Sequence, residues 1–399
     1  MKIVHICLGC FFPDGFSYQE NMLPKFHKQQ GHDVEVIASL LTFDKNGNGA
    51  LYPEASTYRN EYDIQVTRLD YKKPKKVYRF LRCFEGFREA LEKSSPDLIF
   101  IHGCQFFDIR VIAQYAKKHS VKIYVDNHAD FSNSARNWLS KTVLHGVLWK
   151  RCAQIILPYT KKFYGVLPVR VDFLRDVYGI PEQKCELLVM GADDELVAAA
   201  NSPAIRGKIR KTYNISDDDF LVITGGKIDR WKTQTLLLME AVHKIPGTVK
   251  LIVFGSVTPE LRGSVDALCD GEKVQYIGWV KPKDSYSLFA AADLVVFPGR
   301  HSVFWEQVVA QGVPMLVKDW PGTHHVDVGG NVQFLYDDSV DEISQKIKRL
   351  IEIPEQYEKM YRCAKDHGMM EFSYDNIAHK AIEDGNERKN EKTHMHYHT

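Results

Sequence analysis

Short apolar runs of strand length recur along the 399-residue chain, separated by segments whose apolar residues have helical spacing. In the first half the runs are 3–8, 34–39, 64–69, 98–101, 122–125, 155–157 and 187–190. The pattern restarts with 220–224, 250–254, 274–277, 294–297, 315–317 and 332–335. Strands that are apolar throughout are typical of parallel sheets covered by helices on both faces. Two such series predict two doubly wound α/β domains.

The predicted domains are residues 1–190 and 191–371, joined where a strand ends in a glycine and an acidic turn. Residues 372–386 predict a C-terminal helix that returns to the N-terminal domain, with Ser373 or Asp375 as its cap. The tail, 387–399, is polar and is predicted to be disordered. We interpret its histidines as part of an exposed tail rather than a metal site; they are His394, His396 and His398.

Charge and composition exclude several classes of protein. The chain has 52 Lys and Arg against 51 Asp and Glu, so its net charge of +1 gives no preference for nucleic acid. No apolar run approaches the ~18 residues of a membrane span, and the N-terminal segment lacks a signal-peptide pattern. The eight cysteines are interpreted as free thiols, with the Cys7–Cys10 pair buried and inert. We therefore expect a cytoplasmic protein.

Ligands of open α/β sheets bind beyond the carboxyl ends of the strands, so the loops there are candidate sites. In the loop after the first strand, Gly9 and Gly15 allow close backbone approach, although an ordinary turn explains them equally well. The absence of G-x-G-x-x-G there disfavours a dehydrogenase. After another strand come Asp126, Asn127 and His128. His128 could donate to a sugar hydroxyl or phosphate, or alternatively satisfy a backbone carbonyl.

The stretch "VITGGKIDRWKTQTL" ends a predicted strand and opens a helix. It contains Gly225, Gly226, Lys227, Arg230 and Lys232. Backbone N–H groups, two or three cations and a helix dipole together could hold a diphosphate without a metal. The alternative is a solvated basic loop.

A second strand-to-helix stretch, "PGRHSVFWEQVVAQGVP", predicts a helix over 303–311 that is capped by Ser302 and ends at Gly312. Glu306 lies in its first turn, where the helix dipole would stabilise a surface carboxylate. The neighbouring residues are apolar, however, which indicates a buried helix. A buried carboxylate needs partners, and ribose hydroxyls would serve.

In their order along the chain these features resemble the family 4 (group 1) glycosyltransferases, retaining enzymes of the GT-B fold with two facing Rossmann-like domains. "FPDGFSYQENMLPKFHKQQGHDVEVIA" is similar to the glycine-containing loop, helix and GH-x-V strand of that family. "VMGADDELV" resembles its domain crossover, and "GGKIDRWKT" its diphosphate clamp. "VQYIGWV", "LFAAADLVVFPG" and "EQVVAQGVPMLV" follow in family order. The resemblance covers nearly the whole chain.

The resemblance implies a nucleotide-diphosphate-sugar donor bound by the C-terminal domain, with no cofactor and no metal. Lys227 and Lys232 would hold the diphosphate, Glu306 the ribose and His128 the transferred sugar, which makes these four the expected catalytic residues. Asp193, in the crossover, is expected to be structural. The donor-binding set implied by the resemblance is Gly15, Gly225, Gly226, Lys227, Lys232, His301, Ser302, Val303 and Glu306.

The sequence also departs from the family pattern. The family has a Glu-x7-Glu signature, but Pro298 stands eight residues before Glu306, so the first acid is absent. Only His301, Ser302 and backbone N–H groups remain for its work on the sugar. Lys227 replaces the usual Arg and lacks its planar fork. The implied reaction is retaining transfer, with the leaving diphosphate as the base for the acceptor hydroxyl.

The resemblance further implies that a glycan or lipid-linked glycan acceptor binds the N-terminal domain, as in bacterial surface polysaccharide synthesis. Residues 72–88 are basic, with apolar residues at helical spacing, and 137–152 are basic and aromatic. We expect 72–88 to form an amphipathic helix that contacts an anionic membrane surface from the cytoplasmic side. A helix packed on the domain is the alternative. Two other functions remain open: a nucleotide-sugar epimerase, and a non-catalytic homologue acting as a binding partner or activator.

Overall fold

The computed structural model describes residues 1–43, 49–131, 134, 138 and 140–383. The chain divides into two compact units. The first comprises Met1–Val189 and the described residues from Ile377 onward, and the second comprises Met190–Asn376. The predicted tail 387–399 and the last three residues of the predicted 372–386 helix lie outside the described residues.

The first unit contains one large sheet and a separate pair of short strands. Its strands are β1 (Lys2–Cys7), β2 (Asp33–Ser39), β3 (Leu41–Phe43), β4 (Gly49–Leu51), β5 (Ser56–Arg59), β6 (Gln65–Leu69), β7 (Leu98–His102), β8 (Lys122–Asn127), β9 (Thr160–Gly165) and β10 (Cys185–Leu187). Its helices are α1 (Gln19–Gln29), α2 (Lys75–Leu81), α3 (Phe87–Ser94), α4 (Ile109–His119), α5 (Lys150–Ile156) and α6 (Pro168–Asp176), with a π-helical segment over Ser140–Trp149. The sheet order is β10-β9-β8-β7-β1-β2-β6-β5, and β3 pairs with β4 separately. All neighbours in the large sheet are parallel except β5 and β6.

The second unit has a smaller sheet that is parallel throughout. Its strands are β11 (Phe220–Gly225), β12 (Val249–Phe254), β13 (Val274–Tyr276), β14 (Leu294–Phe297), β15 (Met315–Lys318) and β16 (Val332–Leu335). Its helices are α7 (Asp194–Ala200), α8 (Pro203–Thr212), α9 (Gln234–Lys244), α10 (Pro259–Leu268), α11 (Pro282–Ala291), α12 (Phe304–Ala310), α13 (Val340–Glu352), α14 (Pro354–Cys363), α15 (Met369–Glu371) and α16 (Tyr374–Ile382). The sheet order is β13-β12-β11-β14-β15-β16. Helix α16 begins in this unit, and its residues from Ile377 belong to the first.

Each sheet is covered by helices, which confirms the predicted α/β class with two Rossmann-like units. In the first unit, strand residues such as Ile99 and Val125 pack with helix residues such as Ile112 in one fully buried cluster. In the second, Leu251 and Leu238 belong to a comparable cluster. The continuous apolar strands are therefore explained by burial on both faces. Ser373 caps α16, as predicted, by accepting from the Asn376 N–H at 3.3 Å.

The predicted strand at 155–157 is wrong. Residues up to Ile156 form α5, followed by a 3₁₀ turn over Leu157–Tyr159, and the strand is β9. The buried residues of α5 are Cys152, Ala153 and Ile156, a spacing that fits one face of a helix. A three-residue apolar run at the end of a helix cannot be distinguished from a short strand by its apolar content alone.

The single amphipathic helix predicted over 72–88 is also wrong. Helix α2 ends at Leu81 and is followed by Arg82, which has a left-handed backbone (φ +54°), and α3 begins only at Phe87. Between them Phe84 forms a β-bridge with Tyr71 and is fully buried. The apolar residues at helical spacing therefore fall into two groups. Some are buried in the unit, and the others lie on the short exposed helix α2. Among the described residues, no helix is both long enough and apolar enough to cross a membrane.

Candidate functional site

The strand order of the second sheet reverses between β11 and β14. Strands β12 and β13 lie on one side of this pair, and β15 and β16 on the other. The loops that follow β11 and β14 therefore run in opposite directions and leave a crevice at the carboxyl ends, the usual ligand position in such sheets. A pocket lies at this point, bordered by Gly226, Lys227, Lys232, Gly299, Arg300 and Ser302.

The glycines after β11 are required by packing against β12. A Cβ on Gly225 would lie 2.1 Å from the Phe254 ring. Gly226 has φ +125°, and a Cβ on Gly255 would lie 1.9 Å from the Gly226 carbonyl oxygen. The Gly226 N–H donates to the Phe254 carbonyl at 3.0 Å. The donor-binding role predicted for these two glycines thus stays a prediction, since close strand packing already explains them.

Three cations border the pocket. Lys232 is half-buried, and burial lowers its pKa against the opposing effect of Asp229. Lys227 is largely exposed, with its Nζ 3.9 Å from a carboxylate oxygen of Asp229. Arg300, which sequence reasoning missed, lies over the Trp231 ring at 4.7 Å from its centroid. Its position directly after β14 and the Pro-Gly turn could have indicated that it lies at the carboxyl end of the sheet. The structure thus brings Lys227 and Lys232 together with a third cation at the pocket.

Glu306 lies on α12 and is fully buried. Its Oε1 accepts from Nε2 of His301 at 2.8 Å and from Nε2 of His325 at 3.0 Å. Burial acts to raise the pKa of this carboxyl, but the two imidazoles outweigh burial and hold the pKa well below its ordinary value. Glu306 has no exposed surface, so a ribose could reach it only after the side chains that cover it rearrange, and the predicted ribose contact stays a prediction. His325, 19 residues further along, gave no sequence signal.

The same three side chains have the chemistry of metal ligands. One ligand atom from each of His301, Glu306 and His325 lies within 4.8 Å of the others. Two histidines and one carboxylate are a common set for zinc. However, both imidazoles already donate to the carboxylate, which accounts for the arrangement without an ion. The expectation that no metal is needed is not tested by this geometry.

The start of α12 differs from the prediction. Val303 already has helical dihedrals (φ −57°, ψ −13°) at the N-cap position, and no side chain caps the helix. The predicted cap, Ser302, lies one residue too early, and its carbonyl accepts from the Trp305 N–H at 3.0 Å. Gly312 (φ +67°) follows the end of the helix, as predicted. Ser302 instead borders the pocket, and Val303 is exposed.

In the first unit, His128 follows β8 and faces two carboxylates. Its Nε2 lies 3.5 Å from Oδ1 of Asp126 and 3.8 Å from Oε1 of Glu20. Burial acts to lower the pKa of His128, but Glu20 and Asp126 outweigh it and the pKa is raised. The neighbouring Asn127 donates to the Ala129 carbonyl at 2.9 Å and is structural. His128 is thus a partly exposed imidazole held by acidic partners.

The loop after β1 uses its glycines structurally. A Cβ on Gly9 would lie 2.6 Å from the Gly103 carbonyl oxygen, so Gly9 permits close packing of two loops. Gly15 has φ +76°, and its N–H donates to a carboxylate oxygen of Glu61 at 2.8 Å. A ligand at Gly15 would have to displace that carboxylate, and the predicted donor contact stays a prediction.

Asp193 has the structural role expected of it, whereas the cysteines match the prediction only in part. Asp193 caps α7 by accepting from the Glu195 N–H at 3.1 Å, which is a structural function. All eight cysteines are free, as predicted, and Cys7 is buried in β1. The prediction of a buried pair is wrong for Cys10, which is only half-buried.

Two family models match adjoining parts of the sequence. Residues 21–196 match "Glycosyltransferase Family 4", and residues 205–367 match "Glycosyl transferases group 1". The second match contains β11, β14 and the pocket between them. A comparison with curated proteins finds no significant relative.

Solved structures share the fold at low sequence identity. HepE from Anabaena, solved in complex with UDP, has a TM-score of 0.67 at 17% identity, covering 99% of this chain and 100% of HepE. WaaG, a glycosyltransferase involved in lipopolysaccharide biosynthesis, has a TM-score of 0.62 at 14% identity, covering 95% and 98%. The UDP-GlcNAc 2-epimerase from Neisseria meningitidis, bound to UDP-GlcNAc, has a TM-score of 0.62 at 16% identity, covering 97% and 100%.

Proposed function

The chain belongs to the group 1 and family 4 glycosyltransferases, and on that premise we propose that it transfers a sugar, with retention, from a nucleotide-diphosphate-sugar to a hydroxyl of a glycan or lipid-linked glycan. The observation that carries the proposal is the pocket between β11 and β14 with Lys227, Lys232 and Arg300 at its border. A diphosphate is the ligand that three cations beside a strand-end crevice suit best.

In this reaction the bond between the sugar C1 and the diphosphate oxygen breaks, and its electron pair stays on the phosphate. The acceptor oxygen forms its bond to C1 on the same face, and its proton passes to the departing phosphate oxygen. The protein positions the reactants and neutralises the charge that develops. Lys232, half-buried at the pocket, supplies charge where little water screens it. We propose that no metal is needed, so that turnover persists in excess EDTA.

His128 is proposed to donate to a hydroxyl of the transferred sugar. Its raised pKa favours the protonated form, which has two N–H donors. Glu306 is proposed to reach the ribose once His301 is displaced by the bound donor. His301 is then the proposed replacement for the absent first Glu of the family signature in contacting the sugar.

The proposed acceptor is a lipid-linked glycan of bacterial surface polysaccharide synthesis. WaaG, which shares the fold, is involved in lipopolysaccharide biosynthesis. Helix α2 presents a suitable surface for an anionic leaflet: Val77 and Phe80 are exposed beside Lys75, Lys76 and Arg79. We propose peripheral contact with the inner face of the membrane at this helix.

The test of the proposed function replaces Lys232 with Ala. Turnover, measured as release of nucleotide diphosphate in the presence of acceptor, should fall by about 10²–10³-fold, because a charge at the leaving group is lost. The matched control is Lys244→Ala, which removes an exposed lysine of α9 paired with Asp341 at 3.0 Å. The control should keep full turnover. Near-normal turnover in Lys232→Ala would refute the assignment of this pocket.

Two alternatives predict no transfer in this assay and are distinguished from each other by further measurements. The fold shared with the UDP-GlcNAc 2-epimerase favours isomerisation as the second candidate. An epimerase would isomerise the free nucleotide-sugar without any acceptor and would transfer no sugar to a hydroxyl. A non-catalytic homologue would bind the nucleotide, seen as a thermal shift, yet release no product with any acceptor.

A further inference from the structure

Three fully buried histidines of the first unit are hydrogen-bonded in a row, and the proposed reaction does not use them. His27 lies on α1, His5 on β1 and His102 at the end of β7. Nε2 of His5 lies 3.0 Å from Nδ1 of His27, and Nδ1 of His5 lies 3.0 Å from Nε2 of His102. The row ends at the Ala378 carbonyl, 2.9 Å from Nε2 of His27. At the other end, Oδ2 of Asp126 lies 2.7 Å from Nδ1 of His102.

The carbonyl end gives the row a single direction. A carbonyl only accepts, so His27 donates through Nε2. Burial lowers the pKa of His27 to about 3 and that of His5 well below its ordinary value, so both are neutral at pH 7. A neutral imidazole has one N–H and one lone pair. Nδ1 of His27 therefore accepts from His5, and Nδ1 of His5 accepts from Nε2–H of His102.

His102 consequently donates at both ends and is an imidazolium. Its Nε2–H goes to His5 and its Nδ1–H to the Asp126 carboxylate. Burial acts to lower the pKa of His102, but Asp126 outweighs it and raises the pKa to about 9. Burial likewise acts to raise the pKa of Asp126, and His102 with His128 holds it low instead. A buried ion pair persists only when its remaining donors are satisfied, and His5 satisfies the second N–H of His102.

We propose that His5 and His27 are positioning residues for the transfer reaction: they give the Nε2–H of His102 an acceptor, keep His102 a cation, and so let His102 share the Asp126 carboxylate with His128. The consequence for turnover rests on the proposed function, in which His128 contacts the transferred sugar. The protonation pattern itself does not depend on that function.

The charged and titratable groups around His128 and His102 determine how the pKa of His128 would change if His5 no longer accepted from His102. His128 faces Asp126 on its own strand loop, Glu20 on α1 and, with the opposite effect, Arg170 on α6. His102 is surrounded by Asp126, His5, Glu20 and Cys7. Without an acceptor, Nε2 of His102 would give up its proton, and the charge of Asp126 would no longer be compensated. That charge would act on His128 alone and raise its pKa further.

The first test is the ring-nitrogen NMR spectrum of histidine-labelled, unmutated protein. We expect His5 and His27 to be neutral with the proton on Nε2, and His102 to carry both protons at pH 7. A neutral His102 at pH 7, or a proton on Nδ1 of His5, would overturn the proposal. This test needs neither substrate nor variant, so it also decides the matter if a variant does not fold.

The second test compares His5→Phe with His5→Asn. Phe fills the ring volume but cannot accept, whereas the amide oxygen of Asn lies near the Nδ1 position and can accept from His102. We expect the titration midpoint of His128, and with it the pH profile of turnover, to move to higher pH in His5→Phe and to stay in place in His5→Asn. A purely structural role would lower the melting temperature of both variants without moving either curve. That result, or equal shifts in both variants, would refute the positioning role. Absence of transfer by the unmutated protein would instead refute the proposed function and leave the NMR result standing.

Discussion

Glu306 shows how a carboxylate survives complete burial in this fold. The removal of an ionised carboxylate from water is costly unless hydrogen bonds replace the lost solvent. Here two imidazole N–H groups converge on one oxygen, at 2.8 Å from His301 and 3.0 Å from His325. The negative charge therefore lies in the first turn of α12, four residues after Ser302, which borders the pocket. Such an arrangement stabilises the fold only while the carboxyl is ionised.

Glu306→Gln should therefore destabilise the protein by about 1–3 kcal/mol at pH 7, because two hydrogen bonds to a charge become bonds to a neutral amide. The folded-state pKa of Glu306 lies below the ordinary 4.5, so its stabilisation is complete above pH 4.5 and is lost as pH falls through the folded value. Urea unfolding at several pH values should show the gap between wild type and variant closing below pH 4.5. The exposed Glu240→Gln on α9 is the control, and a gap independent of pH would contradict the prediction.

The tight turn after β11 gives a second residue-scale prediction. Gly225→Ala places a Cβ 2.1 Å from the Phe254 ring, so the ring must shift, and we expect a loss of about 1–3 kcal/mol in unfolding free energy. Gly207, within α8, has nothing within 4 Å of its Cβ position. Gly207→Ala should instead stabilise the protein by about 0.5–1 kcal/mol, since alanine favours the helix. Urea titration of both variants measures the contrast, and equal effects would be inconsistent with it.

At this scale the sequence predicted residues whose chemistry is local and missed those defined by contacts. Lys227, Lys232 and Ser302 follow strands, so their approach to one crevice could be inferred from topology. His325 contacts Glu306 only because the fold brings them together, so the sequence could not predict this pair. The position of Arg300 just after a strand was only a weak indication that it borders the pocket. His5, a polar residue inside an apolar strand, and His102, at the end of another, did leave a signal, but their partners lie on other elements.

Among the elements, strand prediction succeeded where a mostly apolar run begins directly after a polar residue, as after Asp293 and Asn331. β14 and β16 have the predicted bounds, whereas β9 was missed because "TKKFYG" begins with polar residues. Helices were harder to predict where a turn interrupts an amphipathic pattern. The segment over α2 and α3 keeps helical spacing across Arg82, whose left-handed backbone ends the first helix. No periodicity argument contains that information.

The short helix α2 carries the membrane prediction. Phe80→Ser removes an exposed apolar side chain beside Lys76 and Arg79, and Phe burial contributes about 1.5–3 kcal/mol. Affinity for anionic liposomes at low salt should therefore fall about tenfold or more, as measured by flotation. Trp279→Ser, which removes a comparably exposed side chain from the second unit, should leave flotation unchanged. Equal losses in both variants, or no flotation of the wild type, would count against membrane contact at α2.

The two units have separate hydrophobic cores, but the chain leaves the first unit, forms the second and then returns to the first. The second unit is one continuous stretch, Met190–Asn376, whereas the first needs both ends of the described chain. Helix α16 supplies the returning part. Ile377, Ala378 and Ala381 are buried there, and the Ala378 carbonyl accepts from His27.

A chain that ends after Asn376 should therefore lose stability in the first unit and keep it in the second. The deletion exposes the apolar surface that covered Ile377 and leaves the Nε2–H of His27 without its acceptor, each of which costs about 1–3 kcal/mol. Amide hydrogen exchange should accelerate about tenfold or more in β1 and α1, with β11 and β12 unchanged. The matched control ends after Glu383 and retains the whole of α16, so it should exchange like the full chain. Equal acceleration in β1 and β11 would mean that the two cores unfold as one.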